Sequence, residues 1–173
     1  MEVEIKAKCD KKEFDSLRSK IIELGGVKSK EKHQVDQYYN LASEDLRGTK
    51  RYIRVREEGE GAILAFHENV NEGLTNEYET KVEDNKMLKT ILEKFGLQKL
   101  GLIDKYREKF DLNEFEICLD KVTNIGTFVE IETDGNESNW KEKRQECIEL
   151  LNKIGLNEEN LTNEYLCDIA TKK

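Results

Sequence analysis

Apolar and charged residues alternate along the first segment of the chain, residues 2–8 (EVEIKAK). Successive side chains of a strand point to opposite sides, so this pattern predicts a strand with one apolar and one charged face. A helix is predicted directly after it, because Asp10 and Glu13 have the spacing of a capping box and apolar residues then recur at helical spacing. Gly25 and Gly26 mark the expected end of this helix.

This unit of strand, helix and glycine recurs twice further along the chain. The second copy begins at residues 77–81 (EYETK), and its helical pattern ends at Gly96. The third copy begins at residues 130–134 (EIETD), where aspartate replaces the lysine; Ser138 is the expected N-cap and Gly155 the expected end. The chain therefore repeats one supersecondary pattern three times.

The segments between these units predict further strands, several separated by short turn-prone gaps that favour antiparallel hairpins. No linker rich in Gly, Pro or Ser divides the chain, so residues 1–173 are expected to form a single domain. The expected fold class is α+β, an eight-stranded antiparallel closed β-barrel with flanking helices. Besides the strands that begin at Glu2 and Glu77, strands are predicted at residues 34–39, 52–57, 62–68, 103–110, 115–120 and 128–133.

The composition of the chain argues against several classes of function. Charged residues make up 38% of the 173 residues and the net charge is -8, which argues against a dedicated nucleic-acid binder because such a protein needs a broad cationic face. No apolar run approaches the roughly 20 residues of a membrane span, and the N-terminus (MEVEIKAKCD) lacks the apolar region of a signal peptide. We therefore expect a soluble, cytoplasmic protein. Its four cysteines form no CxxC pair and are expected to be reduced and mostly buried.

The charged strand faces carry the candidate functional residues. Residues two apart on a strand lie about 6.6 Å from each other on one face, so Glu2 and Glu4 could place two carboxylates around hard divalent ions. Arg54 and Arg56 share a phase in the same way and suit successive phosphates. A single segment of this kind is more often the wet face of an ordinary sheet. The repetition in register instead favours a charged, water-filled interior that holds metal and polyanion.

These residues resemble the CYTH domains, or triphosphate tunnel metalloenzymes, over nearly the whole chain. The segment HQVDQYYN, residues 33–40, is similar to the class IV adenylyl cyclase branch of that family, a relative of thiamine triphosphatase. The resemblance is carried by an ExExK motif (Glu2, Glu4, Lys6), an RxR strand (Arg54, Arg56), a KxR stretch (Lys105, Arg107) and the LDxVxxxGxFxEIE run from Leu119 to Glu132.

The resemblance implies a tunnel in which five cations hold a triphosphate and several carboxylates hold Mg²⁺ or Mn²⁺. The implied activity is that of a class IV adenylyl cyclase, which converts ATP to cyclic AMP and pyrophosphate. Hydrolysis of tripolyphosphate or thiamine triphosphate is the alternative, and a non-catalytic nucleotide or polyphosphate binding module is a further one. The partner is then a small triphosphate, with neither nucleic acid nor membrane, and a homodimer is left open. The implied cations are Lys6, Arg54, Arg56, Lys105 and Arg107, and the implied metal ligands are Glu2, Glu4, Glu130 and Glu132, with Asp120 as a weaker candidate.

Three positions depart from the family pattern. His67 stands where a phosphate-binding lysine is expected, and Thr75 stands where the cyclase branch usually has arginine. Glu164 precedes Tyr165 where the family often has Ser-Tyr. Two cations are lost and one carboxylate is gained, which puts the catalytic efficiency in question.

Overall fold

The computed structural model of the protein is an eight-stranded antiparallel barrel with three α-helices packed on its outside, which confirms the predicted fold class. Neighbouring strands around the closed barrel follow the order β1-β5-β4-β3-β2-β6-β7-β8. No helix in the described part of the chain is long and apolar enough to cross a membrane. The structure describes residues 1–49, 51–59, 61–71, 73–164, 166 and 168, without the side chains of residues 47 and 48.

The elements follow one another in the order that the sequence pattern predicts, with each helix after a strand of the ExE type. The strands are β1 (Glu2–Cys9), β2 (Val27–Asn40), β3 (Arg51–Glu58), β4 (Gly61–Asn71), β5 (Leu74–Val82), β6 (Gln98–Leu112), β7 (Phe115–Val122) and β8 (Gly126–Asp134). The helices are α1 (Lys11–Glu23), α2 (Asn85–Lys94) and α3 (Trp140–Lys153), with short 3₁₀ turns at Leu46–Thr49 and Glu158–Asn160.

Strands β2 and β6 are longer than the sequence pattern predicts. They pair from Val27 opposite Asp111 to Asn40 opposite Gln98, with two irregularities in register. Most residues of the first half of β2 are exposed, so that half has no apolar face. Hydrophobic alternation therefore marks only the part of these strands that lies in the barrel wall.

The barrel has apolar residues on its outer face and charged residues inside. Along β1, Val3, Ile5 and Ala7 are buried, and Ile5 and Ala7 pack in a core that includes Leu17 of α1 and Leu151 of α3. Burying these side chains under the helices removes apolar area from water, which stabilises the fold. The intervening charged side chains of β1 consequently face the barrel interior.

Each of the three helices ends at a glycine in a left-handed conformation. Gly25, Gly96 and Gly155 have φ angles of +95°, +93° and +94°, which residues with a Cβ atom rarely adopt. The N-terminal caps of the three helices differ from one another more than their C-terminal ends do. Asp10 and Glu13 form the predicted capping box of α1.

The predicted cap of α3 is wrong. Asn139, not Ser138, occupies the N-cap position, and its side chain makes no capping hydrogen bond to the helix. The side chain of Asn139 is instead turned toward the preceding loop, where its Oδ1 accepts from the backbone N–H of Asn136 at 2.8 Å. Asn136 in turn accepts from the N–H and hydroxyl of Ser138. The loop thus forms its own turn in place of a cap.

The thiols that the structure describes are free and buried, as predicted. Cys9 and Cys147 belong to the outer core, whereas Cys118 lies on β7. Burial raises the pKa of the Cys9 thiol to about 11 and that of Cys147 to about 12, so both stay protonated near neutral pH. Cys167 lies outside the described residues.

Candidate functional site

The inward strand faces enclose a cavity of about 440 Å³. Residues of all eight strands line it, because every second residue of each strand points inward. Among the described residues its lining contains nine carboxylates against six lysines and arginines. The interior is therefore a polar chamber with an excess of negative charge.

Two cations of β6 are held by one buried aspartate. Arg107 donates from Nε and Nη2 to the two oxygens of Asp120, at 2.7 and 2.6 Å, and Lys105 Nζ lies 2.8 Å from the same carboxylate. Arg107 also contacts Glu130 of β8. Asp120 is fully buried and directly opposite Arg107 in the β6–β7 register. This carboxylate fixes the orientation of both cations.

The two arginines of β3 are anchored in the same manner by different partners. Arg56 donates to both oxygens of Asp36, at 2.8 and 2.9 Å, and Asp36 is 1% exposed. The Arg56 guanidinium outweighs the effect of burial and holds the pKa of Asp36 well below its usual range. Arg54 donates from Nη2 to Glu77 and Glu79 of β5, at 3.1 and 3.0 Å.

Lys6 of β1 bridges the acidic and basic parts of the chamber. Its Nζ lies 3.4 Å from Glu4 and 3.3 Å from Glu130. Burial alone would lower the pKa of Lys6, but these carboxylates outweigh it and raise the pKa above its usual value. Lys6 is therefore charged in the folded protein.

Carboxylates of β1, β7 and β8 form a cluster with too few cations. Burial and the neighbouring carboxylates raise the pKa of Glu2 to about 8 and the pKa of Glu132 well above its usual value. For Glu130 burial acts in the same direction, but Arg107 and Lys6 outweigh it and hold its pKa well below the usual value. Among the described residues, Glu130 thus has two cations beside it, whereas Glu132 has only the more distant Arg107 Nη1, at 3.9 Å.

The unexpected histidine of β4 lies inside the chamber. His67 is 4% exposed, and its ring stacks on Tyr52 with centroids 4.3 Å apart. Its Nε2 lies 2.8 Å from Glu77 Oε1. Thr75, the other departure, also lines the chamber, and its hydroxyl donates to Asn69 Oδ1 at 3.2 Å. Both positions therefore face the interior, as their strand phase indicates.

The structure brings together all ten site residues that the sequence predicts, although their roles stay predictions. Asp120 alone among them does not line the cavity; it lies behind Lys105 and Arg107. The other nine line the cavity: Glu2, Glu4, Lys6, Arg54, Arg56, Lys105, Arg107, Glu130 and Glu132.

Three carboxylates that contact the chamber's arginines were not among the predicted site residues: Glu77, Glu79 and Asp36. Glu77 and Glu79 were visible only as a repeat of the ExExK pattern, and their contact with Arg54 needs the strand order. Asp36 lies in the HQVDQYYN segment, but its pairing with Arg56 follows from the β2–β3 register.

Two further positions lie apart from this chamber. Glu164 lines a neighbouring cavity of about 370 Å³ that shares Glu4, Lys6, Tyr52 and Thr75 with the chamber, and Tyr165 lies outside the described residues. His33, the second histidine, lies on the outer surface with its ring stacked on Tyr106.

Comparison with known proteins agrees with this architecture. The CYTH domain matches residues 1–166. A Methanocaldococcus jannaschii protein named "putative adenylate cyclase" is 29% identical over an alignment of 173 positions that covers 98% of each chain.

Two solved structures share the fold. A Pyrococcus horikoshii OT3 protein superposes with a TM-score of 0.85 at 24% identity, covering 97% of this chain and 98% of that one. A Hippeastrum protein, described as a "putative adenylyl cyclase" with a "dominant" triphosphatase activity, has a TM-score of 0.69 at 16% identity over 99% and 96% of the two chains. With the family match over 166 residues and the tunnel-like chamber, the chain belongs to the CYTH domain family.

Proposed function

We propose that the protein is a metal-dependent enzyme that acts on a triphosphate inside the barrel. The cations of β1, β3 and β6 converge on one chamber, which supports binding of a chain of phosphates. Family membership supports the same substrate class.

The excess of carboxylates in the chamber supports the requirement for metal. Nine carboxyl groups face six lysines and arginines among the described lining residues, so these groups can all ionise beside a polyanion only when further positive charge is supplied. Burial and the neighbouring carboxylates together raise the pKa values of Glu2 and Glu132, so removing both protons requires additional positive charge. A hard divalent cation prefers several carboxylate oxygens, and this donor set fits Mg²⁺ or Mn²⁺.

Glu2, Glu4, Glu130 and Glu132 would hold that cation. When bound, a divalent ion neutralises charge on the reacting phosphate and on the group that leaves. We assign Asp120 to positioning, because both of its oxygens are already occupied by Lys105 and Arg107.

The remaining residues bind and orient the phosphates. Lys105, Arg107 and Arg56 project donors into the chamber, and buried aspartates keep them in place before any ligand arrives. Such preorganisation reduces the entropy that binding costs and places the phosphorus for attack. The chemistry then depends on which oxygen attacks: the ribose 3′-hydroxyl gives a cyclic nucleotide and pyrophosphate, whereas water gives inorganic phosphate.

We propose cyclase chemistry on ATP as the first candidate, on the strength of the M. jannaschii relative at 29% identity. Hydrolysis of a triphosphate is the second candidate. It is supported by the Hippeastrum protein, which shares the fold and is described as having a dominant triphosphatase activity.

The test is a panel of ATP, thiamine triphosphate and tripolyphosphate with Mg²⁺ or Mn²⁺, in which cyclic AMP, pyrophosphate and phosphate are quantified separately. Cyclic AMP with an equal amount of pyrophosphate supports the first candidate, and phosphate release supports the second. Product must disappear when EDTA removes the metal. Binding of every triphosphate without any product would indicate a non-catalytic binding module and contradict the proposed enzyme.

A matched pair of arginine variants localises the reaction. Arg56 faces the chamber, whereas Arg51 of the same strand pairs with Glu44 and does not line it. We expect Arg56→Ala to weaken tripolyphosphate binding by roughly 10- to 100-fold, the scale of about 1.5–3 kcal/mol for a hydrogen bond to a charged group. Arg51→Ala should bind as the wild type does. Equal affinities for both variants would place the ligand outside this chamber.

A further inference from the structure

One corner of the chamber combines a nitrogen ligand with two carboxylates. Ligand atoms of His67, Glu77 and Glu79 lie within 4.8 Å of one another. His67 is directly opposite Glu77 in the β4–β5 register, and Glu79 is opposite Ala65. The three groups therefore converge from two adjacent strands.

The imidazole of His67 is held in one orientation. The ring is 4% exposed and stacks nearly parallel to Tyr52, at an interplanar angle of 15°. Its buried Nε2 lies 2.8 Å from Glu77 Oε1 but has no hydrogen-bond partner of good geometry among the described residues. A buried ring nitrogen without a well-directed hydrogen bond is a position at which a bound ion can supply the missing partner.

The charge state of the corner suits a metal ion. Burial lowers the pKa of His67, so the ring is neutral at neutral pH, and only neutral imidazole binds a metal. Arg54 donates to one oxygen of each carboxylate, at 3.1 and 3.0 Å. Such hydrogen bonds from a neighbouring residue hold carboxylate ligands in position.

We propose that His67, Glu77 and Glu79 form a second metal site, one that takes a transition-metal dication such as Zn²⁺ or Co²⁺. An imidazole nitrogen favours these ions over Mg²⁺, which prefers oxygen ligands alone. The carboxylate cluster of Glu2, Glu4, Glu130 and Glu132 offers only oxygen. The two sites therefore select different metals, and this inference does not depend on the proposed reaction.

The chain contains two histidines, which allows a direct readout. His33 lies on the outer surface, so His33→Gln removes its signal and leaves His67 as the sole imidazole. The experiment is an imidazole ¹H–¹⁵N correlation spectrum of the His33→Gln protein during titration with Zn²⁺ and, separately, with Mg²⁺. We expect Zn²⁺ to shift the Nε2 resonance strongly and Mg²⁺ to leave it in place.

Calorimetry of Zn²⁺ binding supplies the matched comparison. We expect His67→Gln and Glu79→Gln, each in the His33→Gln background, to weaken one Zn²⁺ site by roughly tenfold or more, the lower end of what loss of a metal-site group costs. Thermal melting confirms that each variant is folded, and the Zn²⁺ affinity of Glu79→Gln is the deciding measurement if His67→Gln does not fold.

Zinc held elsewhere, for example by Glu116, Cys118 and Glu132, would leave the imidazole resonances unchanged. Unchanged resonances at saturating Zn²⁺, or equal Zn²⁺ affinity in the folded variants, would overturn the proposal.

Discussion

Strands β1 and β5 carry the same local sequence pattern, but the pKa of the first carboxyl group of the pattern is shifted in opposite directions in the two strands. Both read ExExK, as EVEIK from Glu2 and as EYETK from Glu77. In β1, burial and then the neighbouring carboxylates, Glu77 of β5 first among them, raise the pKa of Glu2 to about 8. In β5 the contacts with His67 and Arg54 outweigh burial and lower the pKa of Glu77 to about 2.

The difference comes from the strands beside each copy. Strand β1 pairs along its whole length with β8, so Glu4 lies opposite Glu132 and Lys6 opposite Glu130. Strand β5 pairs with β4, which carries His67, and faces Arg54 of β3. The motif decides which side chains face inward, and cross-strand neighbours decide how far the protein's own cations balance each pair of carboxylates.

The largest effect is expected on removing Arg107, the arginine beside the carboxylates of β1 and β8. Arg107→Met leaves the buried Asp120 and Glu130 without their main partner, so we expect the free energy of unfolding to fall by about 3–5 kcal/mol. Urea denaturation measures this change. Arg18→Met is the control, since Arg18 pairs with Glu108 at the surface and should cost no more than about 1 kcal/mol. Similar losses of unfolding free energy in the two variants would mean that the buried ion pairs of Arg107 contribute no more to stability than a surface pair does.

The two acidic pairs should differ sharply in Mg²⁺ affinity. We expect Glu2→Gln with Glu4→Gln to weaken Mg²⁺ binding by at least about tenfold, or ~1.4 kcal/mol, because this pair lacks sufficient counter-charge. Glu77→Gln with Glu79→Gln should change it by less than about threefold, because this corner combines the His67 imidazole with the Arg54 counter-charge, whereas Mg²⁺ prefers oxygen ligands alone. Calorimetry on the two double variants makes the comparison. An equal loss in both would show that the two copies act as one site.

The raised pKa of Glu2 predicts a dependence of stability on pH. A carboxyl group with a pKa of about 8 in the folded protein and about 4.5 in the unfolded chain favours folding fully below pH 4.5, and this contribution is lost as the pH rises toward 8. In EDTA, the Tm of Glu2→Gln should therefore rise relative to the wild type between pH 5 and pH 8. His67 titrates with the opposite sign in both proteins, so it cancels in the comparison. A constant difference in Tm would contradict the assignment.

The smallest expected effect concerns the helix starts of the repeated units. Asp10 accepts from the backbone N–H of Glu13 at 2.8 Å, so Asp10→Ala should lower the free energy of unfolding by about 1 kcal/mol. Ser138 caps no helix, and Ser138→Ala should cost less than about 0.5 kcal/mol. Chemical denaturation of both variants checks this ranking. A larger loss for Ser138→Ala would restore the capping role that the sequence pattern suggests.

Most of the fold could be predicted from the sequence because its local patterns agree with the final contacts. Strict alternation along β1 separates the outer core from the interior, and the glycines at positions 25, 96 and 155 end the three helices. The start of β2 was not predicted, because most of its residues are exposed and carry no periodic signal.

The candidate site could be predicted only as a set of inward-facing residues. Which charges meet depends on long-range pairing that no local pattern contains: Arg56 meets Asp36 through the β2–β3 register, and Arg54 meets Glu77 across β4. The predicted cap at Ser138 failed for a local reason, since the N–H and the hydroxyl of Ser138 both donate to Asn136 Oδ1 in the preceding turn.

The central claim is that a divalent cation bound by the carboxylates of β1 and β8 allows the cations of β3 and β6 to hold a triphosphate in the same chamber. Anomalous diffraction from crystals soaked in Mn²⁺ and tripolyphosphate tests it most directly. The account predicts a manganese peak among Glu2, Glu4, Glu130 and Glu132, with phosphate density against Arg56, Lys105 and Arg107. Manganese bound away from these carboxylates, or tripolyphosphate bound outside the barrel, would contradict it.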